Sequence, residues 1–156
     1  MANSLQVTIR PARCDDVAAI VGMLADDPLG SARERLEEPL PQSYFKAFAA
    51  LDRDPNIELV VAQDSEGTVV GCLQLCILPG LSSQGASRGL IEDVRVAAHC
   101  RSRGIGEAMV QWAVEQARAK GCKLVELLTH HTRLDAQRFY ERLGFQRSHV
   151  GMTIRF

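Results

Sequence analysis

Between Ile91 and Lys120 the chain changes its periodicity once. An apolar strand pattern, I-E-D-V-R-V, gives way to a helical stripe formed by Met109, Val110, Ala113, Val114 and Ala117. The junction is Arg101-Ser102-Arg103-Gly104-Ile105-Gly106, with Glu107 in the first helical turn. A helix that starts this way presents unpaired backbone N–H groups and the positive end of its dipole just past the strand end. Glycines let a ligand come close to the main chain, and arginines add charge-assisted hydrogen bonds. Arg101 to Glu107 therefore read as a phosphate site built from backbone, although Gly-x-Gly at a helix start is also an ordinary turn. Two known phosphate loops are excluded. There is no G-x-x-x-x-G-K-[S/T], and Gly104-x-Gly106 lacks the third glycine of the dinucleotide fingerprint.

The flanking segments follow from pattern. Gln6–Arg10 alternates as a first strand that Pro11 stops, and Asp15 and Asp16 open a helix whose stripe is Val17, Ile20, Val21 and Leu24. Ser31 and Glu34 form a capping-box pattern, and Pro39 and Pro41 break the run. A second helix then carries Tyr44, Phe45, Phe48 and Leu51 on one side, either as core or as the wall of an acceptor pocket. Ile57–Gln63 and Thr68–Leu78 form a hairpin; Pro79–Gly89 is a long loop or the rim of a site.

Leu90–Val96 is the central strand, with Leu90, Glu92, Val94 and Val96 on one face and Ile91, Asp93 and Arg95 on the other. Two adjacent acids there are costly to bury unless paired, for instance with Arg95, or useful in catalysis. Lys123–Thr129 reads as a strand covered on both faces and parallel to the central one. Thr132 and Asp135 form another capping-box pattern, before a helix with Ala136, Phe139, Tyr140 and Leu143 on one face. Gly144 closes it, and Phe145 begins the last strands.

The chain's 156 residues fit one domain over 1–156, and a net charge of −1 gives no sign of nucleic acid or membrane as a partner. No apolar run approaches membrane-spanning length, and there is no signal-peptide core. The five cysteines are scattered and form no C-x-x-C pair, which suits reduced thiols and a cytoplasmic location. His130 and His131 point opposite ways along a strand end, His99 and His149 are isolated, and no metal is expected.

Two strings acquire meaning together: R-x-x-G-x-G at Arg101, Gly104 and Gly106, and A-Q-R-F-Y-E-R-L-G-F from Ala136 to Phe145. Their pairing resembles the acetyl-CoA-binding signatures of the GNAT superfamily of N-acetyltransferases. That resemblance implies an α/β fold, with a mixed, mostly antiparallel sheet, a splayed parallel strand pair and helices on both faces. It implies acetyl-CoA as donor and an amine of a small molecule or protein as acceptor, with a homodimer left open. Main-chain groups of Val94, Arg95 and Val96 would pair with the pantetheine, and Arg101, Ser102, Arg103, Gly104, Ile105, Gly106 and Glu107 would hold the phosphates. Tyr140 would be the acid, and Glu92, with Asp93 second, the base. Arg133 stands where the family often has Asn and offers a cation near the cofactor. A catalytically silent acyl-CoA binder is the alternative.

Overall fold

A computed structural model describes residues 5–156. Five strands form one sheet in sequence order: β1 (Thr8–Pro11), β2 (Ile57–Gln63), β3 (Val69–Leu78), β4 (Arg88–Val96) and β5 (Leu124–Leu127). Neighbours are antiparallel except β4 and β5, which are parallel. The helices are α1 (Val17–Ala25), α2 (Pro28–Ser31), α3 (Gln42–Arg53), α4 (Ser82–Gly85), α5 (Ile105–Ala119) and α6 (Leu134–Arg142). Pro11 does not stop β1 as expected but pairs with Val60, which an edge strand tolerates because no second neighbour needs its missing N–H.

Both faces of the sheet are covered. Against one, α5 packs Ile105, Met109, Ala113 and Ala117 onto Leu73, Leu75 and Ile91. Small strand residues let it sit close: a Cβ on Gly89 would lie 3.0 Å from the Ala117 Cβ. Against the other, Ile20 and Met23 of α1 pack with Val61 and Cys72, and Phe48 of α3 joins them. The expected mixed, mostly antiparallel sheet with helices on both faces is the observed one.

Three local expectations fail. Ser31 does not cap a helix; it ends α2, whose cap is Asp27, accepting from the Leu29 and Gly30 N–H groups at 2.8 Å each. β5 is not covered on both faces: Leu124 and Glu126, which share one face, are exposed, Leu124 by 49%. After Phe145 no further strand forms among the described residues.

Candidate active site

The parallel register of β4 and β5 runs from Arg88↔Leu124 to Ile91↔Leu127 and stops there. β4 continues to Val96, so the main chain of Glu92–Val96 loses its β5 neighbour. On the β3 side, Cys72 opposes Arg95 and Gln74 opposes Glu92, which leaves one extra residue on β4. Asp93 takes it up, with φ at +52°. The bulge reverses the alternation expected from sequence: Val94 and Val96 join Ile91 against the α5 core instead of sharing a face with Glu92. Glu92 lies beside Gln74, whose Nε2 donates to it at 3.3 Å. Arg95 turns to Asp27, with Nε 3.6 Å from the carboxylate, so it is not the partner of either strand acid.

The space opened between β4 and β5 is a cavity of about 1050 Å³. Its walls include Glu92–Val96, the turn before α5, Leu127–His130 and the α6 residues Phe139 and Tyr140. Six arginines (33, 95, 101, 133, 142 and 155) line it, against the three acids Glu92, Asp93 and Glu107. Arg95, Arg101 and Arg133 are paired with Asp26 and Asp27 just outside the lining, and the remaining balance still leans toward an anionic occupant.

Gly104 caps α5 with φ at +81°, a conformation that costs glycine little, and no side chain satisfies the helix's first N–H groups. Ser102, Gly104, Ile105, Gly106 and Glu107 all line the cavity, but Arg103 does not. Instead, the Arg103 carbonyl accepts the Leu5 N–H at 3.1 Å. The Arg101 guanidinium donates to the Val96 carbonyl at 3.2 Å and to the Asp26 carboxylate at 3.0 Å, which fixes the end of β4 to the loop after α1. Gly106 faces Phe139, 3.4 Å from where its Cβ would be, so α5 and α6 meet at this turn.

Helix α6 starts one residue later than its capping-box pattern suggests, with Arg133 and not Thr132 at the N-cap. Thr132 shares a hydrogen bond with His130 Nδ1 at 2.8 Å, and Asp135 pairs with Arg138 at 3.2 Å. The His130 and His131 rings lie 4.4 Å apart, not pointing opposite ways, because the chain has left strand geometry after Leu127 and turns at His131–Thr132. Among the described residues no three His, Cys, Asp or Glu side chains come together as metal ligands. Tyr140 is half-buried, edge-to-face with Phe139 and Phe145 at 5.0 and 5.7 Å. Burial pushes its hydroxyl pKa up, while the charges of Arg95 and Arg133 pull it back.

Asp27 is the residue that sequence reasoning missed. Asp-Pro at a helix start is a capping signature, but nothing in the sequence links it to positions 95 and 133. Its carboxylate takes Arg133 Nη2 at 2.5 Å as well as its two backbone bonds, and so joins α2, β4 and the start of α6. Burial alone would raise its pKa. The Arg133 hydrogen bond, the Gly30 and Leu29 N–H groups and the Arg133 charge outweigh that and hold it at about 2, below the ordinary 3.8.

A carboxyl whose pKa is lowered on folding stabilises the fold above its unfolded value and loses that contribution as pH falls through the folded one. Asp27→Asn is therefore expected to cost about 2 kcal/mol at neutral pH, with the difference from wild type shrinking between about pH 4 and about pH 2. Urea denaturation across that range measures it. A pH-independent difference would show that the charge of Asp27 is not what matters.

The second helix does not wall this cavity. None of Tyr44, Phe45 and Phe48 lines it, nor does the Pro79–Gly89 loop. The Tyr44 hydroxyl instead accepts the Arg35 N–H at 2.9 Å and donates to Glu34 at 2.9 Å, while Phe48 packs on the α1 core. Phe48→Ala is expected to cost about 3 kcal/mol in denaturant titrations. The kinetics per folded molecule should be unchanged; an altered acceptor preference would restore the wall reading.

The mixed sheet parts at its parallel pair beside the N-terminus of α5, with Tyr140 on the facing helix α6. Residues 23–145 match the model of the Acetyltransferase (GNAT) family, and the chain belongs to that family. It is 37% identical over 112 residues to an aminoalkylphosphonate N-acetyltransferase from Salmonella typhimurium, covering 72% of this chain and 71% of that protein. It is 29% identical to glucosamine 6-phosphate N-acetyltransferase 1 from Oryza sativa, over 95% of this chain and 86% of that one. The crystal structure of a transcriptional regulator from Bacillus halodurans superposes with a TM-score of 0.93 at 48% identity, covering 97% of this chain and 100% of that chain.

Proposed function

We propose that this protein moves an acetyl group from acetyl-CoA directly to the primary amine of a small molecule that carries a phosphate or phosphonate. The observation that carries this reading is the opening between β4 and β5 in front of the uncapped α5 N-terminus, with six arginines against three acids around it. An anionic donor and an anionic acceptor both suit such a cavity.

In this reading the N–H groups from Ser102 to Glu107, with Arg101, hold the pyrophosphate, and Arg103 acts only at long range from outside the cavity. Main-chain groups of Val94, Arg95 and Val96, freed from β5, pair with the pantetheine amides. Arg133 adds a cation beside the donor. Glu92 takes a proton from the acceptor ammonium, directly or through water, with Asp93 as the second choice. The amine nitrogen then bonds to the thioester carbonyl carbon, the carbon–sulfur bond breaks, Tyr140 passes its hydroxyl proton to the departing thiolate, and the second proton lost by the nitrogen restores the phenol.

The phosphoryl feature of the acceptor rests on the relatives, which are named for aminoalkylphosphonate and glucosamine 6-phosphate. Arg33 and Arg142 line the cavity and have no carboxylate partner among the described residues, and they are the groups we assign to that phosphoryl. All five cysteines are free thiols, which supports a reducing compartment, and we assign the reaction to the cytoplasm.

The likeness to a transcriptional regulator favours one rival, a catalytically silent acyl-CoA binder. Calorimetric titration tests the donor site that both readings share. Acetyl-CoA is expected to bind more tightly than ATP, and the opposite order would overturn both.

A further inference from the structure

The arginines around the cavity fall into two sets. Arg95, Arg101 and Arg133 pair with Asp26 or Asp27, two consecutive acids in the loop after α1. Arg33, Arg142 and Arg155 have no carboxylate partner among the described residues. Helix α6 carries one member of each set. Arg133 is its N-cap and Arg142 its last residue, which places them about 13 Å apart along the axis.

Asp27 does more than balance charge. Its Oδ1 accepts the Leu29 and Gly30 N–H groups at 2.8 Å each, and its Oδ2 accepts Arg133 Nη2 at 2.5 Å. The same Oδ2 lies 3.6 Å from Arg95 Nε, too far for a hydrogen bond, and that buried N–H has no partner among the described residues. One planar carboxylate, half used by the helix cap, thus faces two guanidiniums and leaves Arg95 Nε unsatisfied. A tetrahedral oxyanion presents more acceptor oxygens and would satisfy both. There is room for one: Asp27, Arg95, Arg101 and Arg133 line a second cavity of about 720 Å³, which adjoins the first along Val94–Val96. Neither Glu92 nor Tyr140 lines it, so an acceptor anchored there is held away from the groups assigned to the reaction.

We propose that Asp27 is a specificity-determining residue: its carboxylate occupies the oxyanion site of Arg95 and Arg133, and so directs the phosphoryl group of the acceptor to the unpaired arginines of the main cavity. This role rests on the phosphoryl-bearing acceptor proposed above. The acid works by exclusion, filling a site that would otherwise bind the acceptor in a non-productive place.

The test is calorimetric titration of the purified full chain with inorganic phosphate. Asp27→Asn should bind phosphate at least ~10-fold more tightly than wild type, because two guanidiniums exchange a fixed carboxylate for an oxyanion. Adding Arg133→Gln should return the affinity to within about twofold of wild type. Loss of a merely structural clamp would loosen the loop without raising affinity for an anion. Asp27→Ser keeps an oxygen for the Leu29 and Gly30 N–H groups and removes the charge, so it carries the test if the asparagine variant does not fold. Unchanged or weaker phosphate binding in a folded variant overturns the proposal. A gain that survives Arg133→Gln overturns it as well, since the anion would then sit elsewhere. In acetyl transfer to a phosphoryl-bearing amine, kcat and KM of the variant should fall together, as they do when substrate is also held non-productively; an unchanged pair overturns the directing role. A chain that gains phosphate affinity in this way but acetylates no phosphoryl-bearing amine would keep Asp27 as the occupant of an oxyanion site and refute the acceptor class instead.

Discussion

Tyr140→Phe is expected to lower the single-turnover rate of acetyl transfer by on the order of 10²–10⁴-fold while leaving acetyl-CoA affinity nearly unchanged. The reaction expels a thiolate, and a positioned phenol can neutralise it as the carbon–sulfur bond breaks. The hydroxyl is suited to that task because burial pushes its pKa above the ordinary 10, so it is protonated at neutral pH. The ring is fixed by its edge-to-face contacts with Phe139 and Phe145, which phenylalanine at this position would keep. The substitution therefore deletes the proton donor without disturbing the packing. Single-turnover kinetics are required because slow product release would hide a chemical defect in steady state. Wild-type single-turnover rates in the variant would leave Tyr140 as a packing residue.

The second large effect is expected at Gly104. Its φ of +81° is readily available to glycine and strained for a β-branched side chain. Gly104→Val should move the backbone out of the left-handed region and re-aim the first N–H groups of α5, which are uncapped. Acetyl-CoA affinity is expected to fall at least ~10²-fold, with fold stability reduced by only about 1–2 kcal/mol. Gly104→Asn separates geometry from bulk, because asparagine tolerates left-handed backbone. It should keep acetyl-CoA affinity within about tenfold of wild type. Calorimetry on folded protein measures both. A valine variant with unchanged affinity would remove the turn from the donor site.

What was legible in the sequence was whatever depends on local pattern. The strand-to-helix change at Arg101–Gly106 is one case, and the period-2 runs of the Ile57–Leu78 hairpin are another. The two strings ending at Gly106 and Phe145 carried the family, because backbone-built sites need particular residues at fixed spacing. The alternation along β4 misled because a single bulge at Asp93 inverts every face after it. Strict period-2 counting cannot register an extra residue. It also concealed that Arg95 faces away from the strand acids and toward Asp27.

The capping-box patterns at Ser31 and Thr132 failed for a related reason. Each side chain found a different local arrangement, and Asp27 and Arg133 took the positions flanking those helix starts. The Asp27 clamp spans 106 residues of sequence, so no local signal announces it. The tyrosine and phenylalanines of α3 were ambiguous because an amphipathic stripe reads the same over a core or a pocket, and only the cavity walls distinguish the two.

Acetyl transfer to a phosphoryl-bearing amine is measured by acetyl-CoA-dependent thiol release with paired acceptors. Each pair consists of an amine with a phosphate or phosphonate and the same amine without it, such as glucosamine 6-phosphate against glucosamine. CoA thiol is expected to be released with at least one phosphoryl-bearing amine, at a kcat/KM at least ~10-fold above that of its neutral counterpart. Equal rates across every pair would contradict the acceptor class. Tight acetyl-CoA binding with no thiol release from any amine would contradict the enzyme itself and leave the silent binder.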